Sequence, residues 1–398
     1  MRVALVILHA DPARGGAERY TVDLAAELAR RGMTVSLISS SAAVQVPGVA
    51  TVVLSSSRPT RTGRYWDFLA QLDRHLATHH HDVVHAALPV RTCHVYHPHA
   101  GLAAEALAEG HLKRSGLARW LSRWGNRFNA RRNAFAAVER PLLNGGQPPI
   151  VISLSRYVER AVDRFYCLPE NRRARLFNAV DLDRFDPAGM DAAAQQWRRS
   201  LGCHSHDILA LMIAQDFARK GLRETLTALS LVDDPRLKLV VVGKPDPQPW
   251  RTLAHQFGVA DRAIFAGPTR QPEVCYAAAD VFVLPTHHDP CSLVVLEALA
   301  MGVPVITTQR NGAAEVMTDG QEGFVLSSPD DVSSLAEALR QLCDEGLRRR
   351  MADACLRLRP QLSYAAHVDR LLTIYDRAAA ATGSRTFPRQ EQRATQHA

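Results

Sequence analysis

The sequence predicts an α/β protein made of two doubly wound halves that face each other across a cleft. In residues 1–87, apolar strand-like runs alternate with amphipathic helical segments, which is typical of a doubly wound sheet. The same alternation restarts at residue 207, after a connector at 178–187 that has no strong periodicity. The length of 398 residues is sufficient for two such domains. We therefore expect ligands to bind between the halves, beyond the carboxyl ends of the strands.

The first half begins with an apolar strand and a Gly15-Gly16 turn, followed by an amphipathic helix that ends before Gly32. Four more strands, at 34–39, 49–54, 82–87 and 150–154, and helices at 64–79 and 155–166 are predicted next. We assign residues 1–180 to this domain.

In the second half the predicted strands are 207–214, 237–243, 263–266, 281–285, 303–307 and 323–326. The predicted helices are 220–230, 250–257, 274–279, 330–346 and 347–358. We assign residues 181–361 to this second domain. A last helix, 362–381, is expected to join the first domain, and the polar, aromatic-poor residues 382–398 are expected to be a disordered tail.

Composition places the chain among ordinary globular proteins, with 46% hydrophobic and 22% charged residues. The apolar start is too short for a signal peptide and is interpreted as a buried strand. No run of eighteen apolar residues predicts a membrane span. The seven cysteines are dispersed without a C-x-x-C pair, which favours reduced thiols and a cytoplasmic location.

The net charge of +8 favours an anionic partner, and the excess is concentrated in residues 111–140. Eight basic residues there face a single acid, Glu139, and aromatic residues recur at helical spacing. We expect an interfacial helix that contacts an anionic membrane, with four contact residues: Trp120, Arg123, Trp124 and Arg127. The alternative is a solvated face whose two tryptophans pack inward.

Two carboxylates near the end of the strand at 281–285 are the strongest functional signal. Asp289 lies in the loop after that strand, and Glu297 lies eight positions later, within an apolar helix. This arrangement can span a ligand with hydroxyl groups at both ends, and the helix N-terminus between them suits a phosphate. A buried crossover helix with one satisfied glutamate is the alternative.

Three further segments follow strands and are candidates for the same cleft. Gly15-Gly16 lacks both the three-glycine dinucleotide spacing and a Walker lysine, so it is either a ligand-facing loop or a plain turn. Arg219-Lys220 precedes a helix and could neutralise a diphosphate, or could be a solvated pair. His97 and His99 could hydrogen-bond a sugar hydroxyl or relay a proton, or could be structural turn residues.

Metal ligation is not expected. Asp181-Leu-Asp183 has the D-x-D spacing, but it lies in the connector, where carboxylates commonly cap turns. The histidine-rich segment 75–85 lacks the glutamate of an H-E-x-x-H site and is interpreted as a surface helix terminus.

Taken together, these motifs resemble retaining glycosyltransferases of family 4, which have the GT-B fold of two Rossmann-like domains around a central cleft. The family's E-x7-E signature corresponds here to Asp289 through Glu297, with aspartate replacing the first glutamate. The Gly-Gly-Ala-Glu-Arg turn, Asn-Ala-Val-Asp-Leu-Asp-Arg-Phe and Asp216-Phe-Ala-Arg-Lys-Gly221 also look like family elements. The last of these and the basic insert look most like lipopolysaccharide core glucosyltransferases.

The resemblance implies metal-independent transfer of a sugar, with retention, from a nucleoside diphosphate sugar, with UDP as the expected nucleotide, to a glycolipid or polysaccharide acceptor. It implies that Glu297 binds the ribose, that Asp289 contacts the donor sugar, and that N–H groups near Ser292 and Leu293 assist. Arg219 and Lys220 would stabilise the departing phosphate. Gly16, beside Gly15, would let the backbone approach the diphosphate. His99, or else His97, would face the sugar.

Two other classes remain open on the sequence. One is a GT-B sugar-nucleotide epimerase or phosphorylase, which would act without a sugar acceptor. The other is a nucleic-acid-binding protein that uses the basic stretch, although no recognition module is visible and no nucleic-acid partner is expected. A location on the cytoplasmic face of the inner membrane follows from the resemblance to enzymes that act there.

Overall fold

A computed structural model of the chain describes residues 1–99, 101–109 and 129–381. The four predicted membrane-contact residues, Trp120, Arg123, Trp124 and Arg127, and the predicted tail 382–398 lie outside these ranges. The described part contains two parallel β-sheets of seven and six strands and a separate two-stranded pair. The predicted α/β class with two doubly wound halves is confirmed.

The first sheet has the strand order β5-β3-β1-β6-β7-β8-β9, and every pairing in it is parallel. Its strands are β1 (Arg2–Val6), β3 (Thr34–Ser39), β5 (Val49–Val53), β6 (Val83–Ala86), β7 (Val95–Tyr96), β8 (Ile150–Ser153) and β9 (Arg173–Arg175). The separate pair is β2 (His9–Ala10) and β4 (Ser41–Ala42). The helices of the first domain are α1 (Gly16–Arg30), α2 (Arg61–Thr78), α3 (Ala103–Glu109), α4 (Ala130–Asn144) and α5 (Arg156–Phe165).

The second sheet has the order β12-β11-β10-β13-β14-β15 and is also parallel. Its strands are β10 (Ile208–Ile213), β11 (Leu237–Val242), β12 (Ala263–Gly267), β13 (Val281–Leu284), β14 (Val305–Thr308) and β15 (Gly323–Leu326). Its helices are α6 (Asp191–Ser200), α7 (Leu222–Ser230), α8 (Gln248–Gln256), α9 (Pro272–Ala277), α10 (Leu293–Ala300), α11 (Val332–Gln341) and α12 (Glu345–Leu358); α13 (Tyr364–Ala380) follows.

Both faces of the first sheet are covered by helices, as its alternating side chains require. Along β1, Val3 and Leu5 are buried with the residues of α1, whereas Ala4 and Val6 are buried with those of α2. Helix α13 supplies Leu371 to the same core as α1, so the end of the described chain packs on the first domain.

Two chain segments connect the domains, and they run side by side. The Val180 N–H donates to the Leu362 carbonyl oxygen at 2.8 Å, and Val180 forms an isolated parallel bridge with Ser363. Val180 lies on the outgoing segment, and Leu362 and Ser363 lie on the returning one. The crossing is therefore held by a backbone hydrogen bond.

Several elements were not predicted from the sequence, among them β9, α3 and α6. Helix α6 was not expected, because Ala194 is its only buried residue and its polar sequence has almost no apolar periodicity. His85, grouped with the histidine-rich segment 75–85, lies in the predicted strand 82–87 and is buried in β6, where it is 3% exposed.

Candidate active site

The predicted functional residues lie where the carboxyl ends of the two sheets face each other. Gly15 directly precedes α1 and Gly16 begins it, and the loops after β10 and β13 carry Arg219, Lys220 and Asp289. In the first sheet β1 lies between β3 and β6, and in the second sheet β10 lies between β11 and β13. Successive crossovers therefore run to opposite sides of each sheet at these points, and ligands bind at such switch points in doubly wound folds. The sequence interpretation of a cleft-facing cluster therefore has a geometric basis.

Gly16 packs against the start of α10 in the opposite domain. A Cβ atom added to Gly16 would lie 3.0 Å from the Leu293 Cδ1 atom, at the start of α10. Any side chain here would push against the opposing helix. Gly15, the residue before α1, has extended backbone and makes no side-chain cap, so the first N–H groups of α1 have no side-chain acceptor there.

Lys220 and Asp289 form an ion pair between the Lys220 Nζ and Asp289 Oδ2 atoms. Their side chains are only 10% and 11% exposed. The Asp289 backbone is held from within its own domain, because its N–H donates to the Arg310 carbonyl oxygen and its carbonyl oxygen accepts from the Gly312 N–H, both at 2.9 Å. The pairing joins the loops after β10 and β13, which are 69 residues apart in sequence.

The two charges shift each other's titration. Burial acts to raise the pKa of Asp289, but the Lys220 ammonium, its hydrogen bond and the nearby Arg219 outweigh it, so the pKa is lowered and the carboxylate is ionised. Burial also lowers the pKa of Lys220, against the attraction of Asp289. The site thus holds a desolvated but balanced pair of charges.

Arg219 is held by a backbone oxygen atom of the Asp289 loop and lies near a carboxylate of its own loop. Its Nη1 atom donates to the His288 carbonyl oxygen at 2.7 Å, and its Nε atom lies 3.7 Å from the Asp216 carboxylate. Gly221 follows in the left-handed region with φ 81°, and a Cβ atom there would overlap the Pro285 carbonyl oxygen. Helix α7 begins only at Leu222, so Arg219 and Lys220 lie in the preceding turn and not on the helix.

Glu297 lies on α10 and is held by a tyrosine. The Tyr276 hydroxyl donates to the Glu297 Oε2 atom at 2.8 Å and also lies 3.1 Å from the Val294 carbonyl oxygen. Burial raises the pKa of Glu297, and the hydrogen bond from Tyr276 and the charge of Arg184 act in the opposite direction. Among the described residues no hydrogen bond to the Glu297 Oε1 atom is found, and Glu297 lines the pocket described next.

A pocket between the domains opens onto Glu297 and Leu293. It is also lined by Arg19 and Asp23 of α1, by Arg184 of the connector and by Tyr364 of α13. Burial raises the pKa of Asp23 to about 6. Both domains and both connecting segments therefore contribute to this pocket, and Asp289 lies outside its lining.

Ser292 and Leu293 form the boundary between the Asp289 loop and α10. The Ser292 N–H donates to the Asn311 Oδ1 atom at 3.2 Å, and the Ser292 hydroxyl contributes to lowering the pKa of Asp289. Leu293 and Val294 are the first two residues of the helix, so their N–H groups have no intrahelical acceptor. This end of the helix therefore directs free donors and a partial positive charge toward the cleft.

His97 and His99 lie in the loop after β7, and their rings pack against Tyr20 of α1 in edge-on and tilted arrangements. The ring centroids of His97 and His99 are 4.0 Å apart, and those of Tyr20 and His99 are 4.2 Å apart. Burial lowers the pKa of both histidines well below the usual value, so both rings are neutral. Neither Nε2 atom has a hydrogen-bond partner within the described parts of the chain.

A hydrogen-bonded row connects His97 to the last helix. The His97 Nδ1 atom lies 3.2 Å from His85 Nε2, and the His85 Nδ1 atom lies 2.7 Å from the Tyr375 hydroxyl. Burial lowers the pKa of His85 to about 3, so this ring is neutral as well. The row holds the His97 ring in one orientation.

Two sets of side chains have the residue types of a metal site. Asp181 accepts hydrogen bonds from the N–H groups of Asp183 and Arg184 at 3.2 Å, so this motif caps a turn as expected. Potential ligand atoms of Glu224, His287 and Asp330 lie within 4.8 Å of one another, beside the Asp289 loop. His287 Nε2 and Glu224 Oε1 form a 3.1 Å hydrogen bond, so two of these three side chains are already paired with each other.

Sequence reasoning missed Tyr276 and the pocket residues Arg19 and Arg184. Arg19 ends the Gly-Gly-Ala-Glu-Arg turn and Arg184 lies in Asp-Leu-Asp-Arg-Phe, so both belong to segments already identified. Helical spacing from Gly16 places Arg19 one turn along the same face, which was an available signal. Tyr276 has no such signal, because 21 residues separate it from Glu297.

Two family models match the chain and together span most of it. Residues 14–184 match the model described as Glycosyltransferase Family 4, and residues 194–355 match the model described as Glycosyl transferases group 1. The first covers the α1 side of the cleft and the second covers the loops of Arg219, Lys220 and Asp289.

Curated relatives are similar over nearly their whole length. A D-inositol 3-phosphate glycosyltransferase from Thermomonospora curvata is 27% identical, over 98% of this chain and 99% of the relative. The lipopolysaccharide glucosyltransferase WaaG from Escherichia coli is 26% identical, over 82% of this chain and 86% of the relative.

Solved structures share the fold. The crystal structure of WaaG superposes with a TM-score of 0.77 at 24% identity, covering 96% of this chain and 100% of that one. The structure of Anabaena HepE in complex with UDP and glucose has a TM-score of 0.65 at 18% identity, covering 97% and 100%. The expected arrangement of two Rossmann-like domains around a cleft, called GT-B, is confirmed.

Proposed function

Since the chain belongs to glycosyltransferase family 4, we propose that it transfers a sugar, with retention, from a UDP-sugar to a cell-surface glycoconjugate. One observation carries the proposal. Lys220, Arg219 and the Asp289 carboxylate converge beside the N-terminus of α10, directly opposite the Gly15-Gly16 turn. Cations and free N–H groups suit a diphosphate, and a carboxylate suits sugar hydroxyls.

The donor would lie mostly on the second domain. In this proposal the second Glu297 oxygen accepts from ribose hydroxyls while Tyr276 holds the first. An ammonium group has three donors, so Lys220 can keep Asp289 and also donate to a phosphate oxygen. Arg219, anchored through one nitrogen, presents its remaining N–H groups to the same phosphate.

The chain's own cations make a metal ion unnecessary in this mechanism. As the bond between the anomeric carbon and the phosphate oxygen breaks, negative charge develops on the leaving UDP, where Lys220 and Arg219 stabilise it. The acceptor hydroxyl attacks from the same face and passes its proton to that phosphate oxygen. Asp289 and one of the two neutral histidines, His99 or His97, orient the sugar hydroxyl groups.

The two curated relatives described above differ in the acceptor that their names give. One relative is named for an inositol phosphate and the other for lipopolysaccharide. The basic, tryptophan-containing residues 111–140 favour an acceptor at an anionic membrane surface, reached from the cytoplasm. No helix among the described residues is long and apolar enough to cross a bilayer.

A donor screen followed by an acceptor screen tests the proposal. Thermal shift with UDP-, GDP- and ADP-sugars should select the UDP-sugar, and UDP release should then depend on an acceptor. Lipopolysaccharide core and inositol 3-phosphate are the two acceptors to compare, and NMR of the product gives the anomeric configuration. Glu297→Gln should give a smaller thermal shift at the same donor concentration, whereas exposed Glu345→Gln should keep the wild-type shift. UDP release that is independent of any acceptor, or an inverted product, would contradict the proposal.

A further inference from the structure

The segment that carries Asp289 is held by the opposite domain as well as by its own. We propose that the first turn of α5, with Glu315 across the cleft, forms a closure clamp that positions the Asp289 loop only when the domains are closed. Its catalytic consequence rests on the glycosyl transfer proposed above. The clamp itself depends only on the contacts between the two domains described below.

Two side chains of the first domain bind directly to residues on either side of Asp289. The Ser155 hydroxyl donates to the Pro290 carbonyl oxygen at 2.7 Å. The Tyr157 hydroxyl and the His288 Nδ1 atom are 2.6 Å apart. Because Asp289 lies between His288 and Pro290, its backbone cannot shift without straining these bonds.

A third bond comes from the connector. The Asn178 side-chain amide donates to the Cys291 carbonyl oxygen at 2.9 Å, and Asn178 is 6% exposed. Residues 288, 290 and 291 are therefore all anchored from outside the second sheet. Buried hydrogen bonds of this kind are costly to leave unmade, so opening the domains must reorganise the loop or rehydrate these groups.

Glu315 supplies the reciprocal contact from the second domain. Its two carboxylate oxygens accept from the N–H groups of Arg156 and Tyr157 at 2.8 and 2.9 Å, although 159 and 158 residues separate the partners. Arg156 is the first residue of α5, so an anionic group here satisfies orphan donors and faces the positive end of the helix. The carboxylate acts as a helix cap that crosses the domain boundary.

The fit at the clamp leaves no room for a side chain at Gly312. A Cβ atom there would overlap both the Pro290 carbonyl oxygen and the Ser155 hydroxyl. Gly312 begins the short 3-10 helix that carries Glu315. The contacts from Ser155, Tyr157 and Glu315 thus share one small patch, and we expect them to break together when the domains open.

Small-angle X-ray scattering of the full chain tests the clamp. Free Glu315→Gln protein should have a larger radius of gyration than wild type, and saturating UDP should reverse the increase. Tyr157→Phe, which removes only the hydroxyl, should leave the radius nearly unchanged. Its kcat should fall about tenfold, with little change in donor KM, because one partly buried hydrogen bond that positions the loop is lost. Exposed Glu337→Gln, in the same domain as Glu315, is the matched control.

Equal radii for wild type and Glu315→Gln, with and without UDP, would overturn the clamp, as would an unchanged kcat in Tyr157→Phe. The scattering comparison does not require that the protein transfer a sugar. If the protein transfers no sugar, the proposed function fails while the radius of gyration still decides the clamp.

Discussion

The Lys220–Asp289 pair allows a quantitative test of how the site is balanced. Asp289→Asn removes the carboxylate charge and leaves the Lys220 ammonium, 10% exposed, without its counter-ion. Leaving one member of a buried pair uncompensated costs about 3–5 kcal/mol of unfolding free energy. Lys220→Met should cost a similar amount, because it leaves the carboxylate of Asp289 unpaired. The double variant restores neutrality, so it should be no less stable than either single variant, with a coupling energy of about 3 kcal/mol.

Urea denaturation at pH 7 measures these free energies, and its pH dependence gives a second check. Asp289 raises the pKa of Lys220, so Asp289→Asn lowers that pKa further below the ordinary value. The unfolded chain then binds more protons than the folded chain between the two pKa values, and the stability of Asp289→Asn should rise with pH there. Additive losses in the double variant, or a stability of Asp289→Asn that falls as pH rises, would refute the reasoning.

Further expectations concern turnover, acid stability and membrane binding. Asp289→Ala should abolish transfer, whereas Asp289→Glu, one methylene longer, should keep part of it or change donor preference; full turnover in Asp289→Ala would show that the site is misassigned. Glu297→Gln should raise donor KM about tenfold with little change in kcat, since it removes ground-state binding to the ribose, and steady-state kinetics decide this. Burial lowers the pKa of His367 from 6.5 to about 4, so its contribution to stability is lost as pH falls through that window. The loss is about 2 kcal/mol between pH 7 and pH 5, and His367→Gln should show a correspondingly shallower fall in urea titrations. Finally, residues 111–140 should bind anionic vesicles more tightly than neutral ones in co-sedimentation, and equal binding would dismiss the electrostatic interpretation.

Local patterns were sufficient to predict the alternation of strands and helices and the position of the acid pair. Asp289 and Glu297 were identified because a strand, a polar turn and an apolar helix follow one another within twenty residues. The partners of these acids were not predictable, because Lys220 lies 69 residues from Asp289 and Tyr276 lies 21 residues from Glu297. Pairing across a sheet depends on strand order, which a single sequence does not encode locally.

The same limit explains the missed clamp. Ser155 was noted only as the start of a helix, and Glu315 has no motif of its own, since its partners are 158 and 159 positions away. The interpretation of 75–85 as a surface helix terminus fails at its end for a different reason: His85 belongs to the strand predicted at 82–87, and all four residues of β6 are buried.

The side-by-side crossing at Val180 and Leu362 has a mechanical consequence. Because the outgoing and returning segments are joined by a backbone hydrogen bond, any rotation of the second domain relative to the first must bend both segments at this crossing. Val180 and Tyr364 also line the pocket at Glu297, so such a rotation would change the shape of that pocket at the same time.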